Sequence, residues 1–420
     1  MAFNPLTEKG IPLERQLRPW AELNPEPYDT RSVHPYTRAR IITAVGAEVE
    51  AQFFSHNMAR HTVDAALKKH LAKIRRVEQQ QHRAINWLIP GEKTENTIEV
   101  TLGYEQVAVD LTSWIAQNEP DPYLRQVYEF GLLEDFDHLY RYANLLDLMG
   151  GEPTRIIGDL TEVTPGRPTI FEHRHPADEL RRPMTIEAVD FQSIMNAMTV
   201  LAAEQQTMNY YLNVGNRPDD PTARGLYCEI AMIEEQHVTH YESIMDPTLS
   251  WLTHLVLHEY NECWLYWSLM EDETDKRIRQ LWELHLGMEL EHLRLACDAM
   301  KAIEKRDPAE FLPAEGMTRA LTFRENKEYV RKVLANQTDL AAWDSEFVDV
   351  SELPRDHRYF AYQAAVNATL PPTEEIIERH RQEKGGEYRL ETEGPHPVPA
   401  LQERPRGSLG YERVMKVDAA

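Results

Sequence analysis

The chain is short of cysteine, of long apolar runs and of basic charge, and each shortage excludes something. Only three cysteines occur, Cys228, Cys263 and Cys297, and no two are spaced as CxxC. Iron–sulfur and rubredoxin-type sites are therefore not expected. A sparse, odd cysteine count fits a reducing cytosol. Each cysteine falls within a predicted helix and reads as a small buried residue. No apolar run approaches the roughly 18 residues of a transmembrane helix. The opening Met-Ala-Phe-Asn-Pro-Leu-Thr-Glu carries no signal-peptide pattern, so a cytoplasmic location is expected. Lys and Arg number 45 against 69 Asp and Glu, a formal net charge of −24. Nucleic acid and membrane surfaces are thus not expected as partners.

What is present is a hydrophobic fraction of 42% in 420 residues, enough for a sizeable core. Helical periodicity spans 35–60, 62–89, 98–118, 122–149, 185–214, 222–245, 248–271 and 274–304, which makes eight core helices and an all-α chain. Thr62 is expected to cap the second, and Pro90-Gly91, Gly150-Gly151 and Asp246-Pro247 to break the pattern. Residues 1–34 are expected to be an extended arm over the surface. Residues 35–150 then form a first four-helix unit, 151–185 a long crossover, and 186–304 a second unit. The crossover, with His173 and His175, is expected as a structured surface loop. Residues 305–420 should hold a helix near 322–336, a short one near 373–384 and an extended tail.

The most informative stretch is Glu229 to Glu242, a helix whose Glu234 and His237 stand three apart on one face. Glu-x-x-His at that spacing is weak evidence alone. A shift of 154 strengthens it, because Glu50 falls on Glu204, Glu105 on Glu259, Asp135 on Glu289 and His138 on His292. With one further residue of offset, His82 meets His237 and Gln79 meets Glu234. The two halves therefore read as copies of one four-helix unit. The second copy keeps both Glu-x-x-His pairs and adds Glu259-x-x-Glu262, while the first has Gln79 and Asp135-x-x-His138 in their place.

Register points the same way. The midpoint of Glu204 and Glu234 is residue 219, in a Pro-rich turn; that of His237 and Glu259 lies beside Pro247; that of Glu105 and Asp135 is Pro120. Residues equidistant from a tight antiparallel turn lie level across the hairpin, so these side chains can gather at one height. A ring of carboxylates inside an apolar bundle is costly unless neutralised, and oxygen ligands with one imidazole per ion suit iron or manganese. The nearby Tyr210, Tyr211, Tyr227, Trp264, Tyr266 and Trp267 are expected as core packing at helical spacing.

The set Glu204, Glu234-x-x-His237, Glu259-x-x-Glu262 and Glu289-x-x-His292 resembles the ferritin-like superfamily, with the doubled Glu-x-x-Glu most similar to the rubrerythrin branch. The absence of a rubredoxin-like cysteine pair departs from rubrerythrin itself. The resemblance implies two ferritin-like four-helix bundle units with di-iron (or manganese and iron) sites. It also implies an oxidoreductase acting on dioxygen or peroxide with an external electron donor, and leaves a homo-oligomer open. A non-catalytic iron-binding protein and a structural bundle with degenerate sites are the alternatives. Two assemblies are open. Each copy closes on itself, or the crossover pairs the helices in a second way. The second way gathers Glu105, Asp135, His138, Glu204, Glu234 and His237 at one site. It gathers Glu50, His82, Glu259, Glu262, Glu289 and His292 at the other.

Overall fold

The computed structural model describes residues 3–167, 169–389 and 394–401. These residues are mostly helical, with twelve α-helices and one antiparallel two-stranded hairpin among them. The long helices are α1 Pro35–His61, α2 Ala65–Asn86, α3 Thr97–Asn118 and α4 Pro122–Leu148, then, after the short α5 Pro153–Ile157, α6 Phe191–Val214, α7 Pro221–Glu242, α8 Trp251–Asp272 and α9 Lys276–Ile303. After them come α10 Lys327–Gln337, β1 Leu340–Trp343, β2 Glu346–Asp349, α11 Arg358–Val366 and α12 Pro372–Lys384. None of the described helices is long and apolar enough to cross a membrane.

The helix starts explain themselves. Pro stands in the first turn of α1, α4 and α7, where its missing N–H is not needed. The Asp121 and Asp275 side chains accept from the first free N–H groups of α4 and α9, and Asn96 with Glu99 forms a capping box on α3. The cap of α2 is Asp64, which accepts from Ala66 and Leu67, whereas Thr62 ends α1. An aspartate two residues nearer the helix offers a better acceptor than the expected threonine.

The chain divides into two compact units, neither of them one continuous stretch. The first holds 1–94, 184–206 and 245–323, and the second 95–183, 207–244 and 324–420. In the first unit α1 pairs with α2 and α8 with α9, while α1 also meets α8 and α2 meets α9. The N-terminal arm is pinned rather than draped. Ile11 N–H donates to the Gly287 carbonyl at 2.6 Å, and Phe3 pairs with Met317. A Cβ on Gly10 would collide with the backbone of Glu291, so the close approach of arm to α9 needs glycine there. Gln16 is fully buried.

In the second unit α3 pairs with α4, α4 meets α7, and α12 covers both α4 and α7. Its core includes Phe130, Phe136, Tyr142, Tyr211, Leu226 and Tyr227. The crossover after α5 is no surface loop: Arg167, Thr169, Glu172, Arg174 and Glu179 are all buried within this unit. The expected tail also contributes to the core, through Tyr388, Val398 and Leu401. Residues 390–393 and 402–420 of that tail lie outside the described residues.

Candidate metal centre

The first unit draws its polar cluster from the buried stripes of its helices. On α9 the buried positions Ile278, Trp282, His285, Glu289, His292, Ala296 and Met300 recur at three and four, and the two candidate ligands sit at the middle of that stripe. On α2 Leu67, Leu71, Ile74, Glu78, Gln81 and Ile85 do the same. The apolar neighbours drive each stripe inward and carry the polar residues with them. Two groups of ligand atoms result, each with its atoms within 4.8 Å of one another: Glu78, Glu259 and His292, and Glu259, Glu262 and Glu289. Glu259 belongs to both. Glu48 of α1 is buried against them, its carboxylate accepting from the Tyr266 hydroxyl.

The carboxyl groups of this cluster are short of partners. Both oxygens of Glu259 and of Glu262, and one each of Glu48 and Glu78, are buried with no hydrogen-bond partner among the described residues. None of Glu48, Glu78, Glu259, Glu262 and Glu289 pairs with Lys or Arg among the described residues. The consequence is electrostatic. Burial, reinforced by Glu289, pushes Glu48 well above the usual carboxylate range, and burial with Glu289 and Glu48 does the same to Glu262. Burial raises Glu78 to about 7 against the pull of His292, and raises Glu259 against the same pull. Burial would raise Glu289 as well, but the neighbouring His292 holds it below its ordinary value. Burial would lower His292, yet Glu289 lifts it to about 9.

These groups could hold a metal ion, and the donor chemistry suits a hard divalent cation: four carboxyls and one imidazole, with the Glu48 carboxyl near enough to Glu289, Glu78 and Glu259 to be raised by them. The orientation of that imidazole is set by the arm. The Gln16 amide donates to the carbonyls of Ile11 at 2.7 Å and Met288 at 3.2 Å, so its oxygen must accept. It accepts from His292 Nε2 at 2.8 Å. Nδ1 is thereby left facing Glu289 at 2.8 Å and Glu259 at 3.9 Å, and it is the nitrogen that becomes a donor to metal once its proton is lost. Gln81 Nε2 donates to the Glu289 carboxylate from the other side.

The second unit gathers a similar set and pairs part of it with its own cations, while one oxygen each of Glu105, Asp135, Glu172 and Glu234 is buried without a hydrogen-bond partner among the described residues. His138 Nε2 lies 2.9 Å from Glu172 and its Nδ1 3.0 Å from Glu234. Glu105, which accepts from Tyr211, completes a group with His138 and Glu234 within 4.8 Å. His237 Nε2 lies 2.9 Å from Glu134, and its Nδ1 3.4 Å from Asp135. Arg174 and Arg167 both reach Glu134, at 2.9 Å and 3.1 Å, and both stack over the Phe130 ring. Burial would raise Glu134, but Arg174 and His237 hold it well below the carboxylate range. Burial would lower His138, yet Glu172 and Glu234 raise it well above the usual imidazole range, which describes a buried imidazolium between carboxylates. Asp135, lifted by burial to about 6, accepts from Thr112 at 2.9 Å.

The expected residues are thus distributed as follows. Glu259, Glu262, Glu289 and His292 converge in the first unit, and Glu105, Asp135, His138, Glu234 and His237 converge in the second. Glu204 is buried on α6 among the residues of the first unit. Glu50 lies half-buried on the wall of a cavity and is in neither ligand group, while Glu48, two residues earlier, is buried beside Glu289, Glu78 and Glu259. His82 stands 3.3 Å from Gln52 and is held down to about 4 by burial, while Glu78, one turn before it, joins the ligand group. Glu48, Glu78, Gln81 and Gln16 were not among the expected ligands or supports. The stripes would have found the first three: Glu78 and Gln81 continue the Leu67, Leu71, Ile74 spacing, and Glu48 follows Ile41, Ala44 and Val45. Glu134, Glu172, Arg167 and Arg174 were missed too, because the last three lie on the crossover, which has no period to read. No protein-family model, no curated protein and no solved structure matches this chain, so the chemistry rests on its own residues.

Proposed function

We propose that the first unit is a ferritin-like two-metal centre, with iron (manganese as the alternative), that activates dioxygen or peroxide on electrons from an external donor. One observation carries this: two groups of buried ligand atoms share Glu259 and leave carboxylate oxygens without partners. The arrangement fits the pattern of a carboxylate from each helix plus Glu-x-x-His on paired helices, with Gln81 in place of the second histidine. When bound, the metal pair supplies Lewis acidity and redox capacity. The chain's own residues hold and orient. Gln16 keeps the proton of His292 on Nε2, Gln81 steadies Glu289, and Tyr266 donates to Glu48. The second cluster is read differently because Arg174 and Arg167 pair with Glu134, and His138 of the group Glu105, His138 and Glu234 is already held between Glu172 and Glu234. It is assigned a structural role, an internal ion-pair network that fixes α4, α7 and the crossover together.

The test is elemental analysis of protein expressed with iron supplied. About two equivalents per chain are expected. Glu78→Gln should leave about one, since only one group contains it, and Glu259→Gln should leave almost none, since both do. Fewer than about half an equivalent in the unaltered protein would sink the two-metal assignment. Stopped-flow absorbance on mixing the ferrous protein with oxygen or peroxide then separates oxidant chemistry from passive binding. No optical change faster than that of free ferrous ion would remove the oxidoreductase half of the proposal.

A further inference from the structure

A cavity of about 440 Å³ lies within the first unit, walled by α1, the first-unit part of α6, and α8. Its volume is that of a small-molecule site. The wall is mainly carbon, from Ala47, Phe54, Met198, Leu201 and Trp251 among others. No lysine or arginine lines it among the described residues, whereas the carboxyls of Glu50 and Glu262 do. Glu262 is also a member of the candidate ligand groups, so the cavity ends at the metal cluster. Beside it, His258 is only 6% exposed and stacks on Phe54 at 5.5 Å. Its Nε2 has no hydrogen-bond partner among the described residues and stands 3.7 Å from the Glu262 carboxylate. A buried imidazole nitrogen left unpaired at the end of an apolar cavity is a place for a ligand's single polar group.

We propose that this cavity binds a small, uncharged, largely apolar organic molecule carrying one hydrogen-bonding group at His258, and that it is the substrate site of the centre. Its role as substrate site rests on the two-metal assignment; its capacity to bind does not. Anionic ligands such as carboxylates and phosphates are disfavoured, because they would be desolvated against Glu50 and Glu262 with no cation to receive them. The chemistry selects by polarity and size rather than by charge pairing.

The experiment uses the full chain, first without metal. N-phenylnaphthylamine, neutral and apolar, should bind saturably with enhanced fluorescence. Its sulfonated analogue, anilinonaphthalene sulfonate, should bind at least about tenfold more weakly. Leu201→Trp and Met198→Phe, each filling the cavity from α6, should weaken the neutral probe by about tenfold or more while leaving the circular-dichroism spectrum unchanged. Val366→Trp, which fills a separate cavity of about 340 Å³ in the second unit, should have no effect. Absence of saturable binding, preference for the sulfonate, or loss of binding through Val366→Trp rather than through Leu201→Trp and Met198→Phe would each overturn the site. In protein loaded with Mn²⁺, the fluorine resonance of bound fluorobenzene should broaden, and Leu201→Trp should abolish the broadening. A bound but unbroadened probe on loaded protein overturns the link to the centre. Failure of Mn²⁺ to load at all refutes the two-metal assignment and, with it, the substrate role, while the probe titration still decides the cavity.

Discussion

Glu262→Leu should stabilise the metal-free protein, the opposite of what removing a buried side chain's partners normally does. Glu262 has neither oxygen hydrogen-bonded, and every neighbour that perturbs it raises its affinity for a proton: burial first, then Glu289, Glu48, Glu78 and Glu259. A buried polar group without a partner costs roughly 1–3 kcal/mol, and replacing it by an apolar group of similar shape removes that cost. Leucine has nearly the right volume, so little cavity or strain offsets the gain. A gain of about 2 kcal/mol raises the midpoint of a unit of this size by roughly 4–8 °C. The gain should grow with pH, because above its raised value the carboxyl must be carried as a charge.

Metal reverses the comparison in degree. At about a hundredfold excess over the dissociation constant, each bound ion adds roughly 2.7 kcal/mol, so two ions add about 5. Glu262→Leu leaves the group of Glu78, Glu259 and His292 intact, and its metal-dependent gain should fall to about half. The assay is thermal unfolding by circular dichroism in chelator and in excess Mn²⁺, at pH 6 and pH 8. The reasoning fails if Glu262→Leu lowers the midpoint in chelator, as a loss of the roughly 2–5 kcal/mol typical of a damaged core would. It fails equally if metal shifts the unaltered protein and the variant by the same amount.

Three further outcomes are expected. Gln16→Leu, which removes the acceptor of the His292 Nε2 proton, should weaken metal binding roughly tenfold to a hundredfold by calorimetry, while Gln16→Glu keeps an acceptor and should lose less. Arg174→Met leaves Glu134 buried with one of its two guanidiniums gone, and should cost roughly 3–5 kcal/mol in urea unfolding with no change in metal content. The raised carboxyls make both stability and loading depend on pH. Glu78 has a folded value near 7 against an ordinary 4.5, so its favourable contribution to the metal-free fold is complete below about 4.5 and is lost as pH rises through 7. Metal needs the deprotonated form, so loading should release protons and weaken below pH 7, which calorimetry in two buffers of different ionisation enthalpy measures.

Helix positions were legible in the sequence because local chemistry sets them: Pro, Asp and Asn at the starts, and apolar stripes at three and four. The choice of ligands was legible only in part. Matching the two halves residue by residue selects identity at an offset, and so it selected Glu50 and His82. Burial selects a face: Glu50 stands two residues, about 200° of rotation, from Glu48, and His82 stands one residue, about 100°, from Gln81 of the buried stripe. Glu48 and Glu78 lie on the apolar face, and Glu50 and His82 do not join them. The hairpin β1–β2 was missed although its turn, Asp344-Ser345, places Asp344 at φ 49 in the conformation that two-residue hairpin loops require. Its strands are four residues each and too short to show a period. The burial of the crossover and of the arm was not legible at all, because both are held by long-range partners, Glu134 for Arg174 and His292 for Gln16.

Those two irregular segments decide what the clusters can do. Each unit places several carboxyls and at least one imidazole in an interior where unbalanced charge is expensive, and each receives one irregular segment against them. In the second unit that segment delivers two guanidiniums to Glu134 and a carboxylate to His138, so the charge of Glu134 is balanced within the chain, although Glu105, Asp135, Glu172 and Glu234 each keep one buried oxygen without a hydrogen-bond partner among the described residues. In the first it delivers an amide, which fixes the direction of His292 and carries no charge. An amide can orient a ligand but cannot neutralise five carboxyls. Neutrality there must come from bound protons, as the raised values of Glu48, Glu78, Glu259 and Glu262 describe, or from cations taken from solution. Protons satisfy the charge and leave the oxygens of Glu259 and Glu262 unpaired; divalent cations satisfy both. The asymmetry between arginine in one segment and glutamine in the other is therefore the physical reason for assigning metal chemistry to the first unit and an ion-pair network to the second.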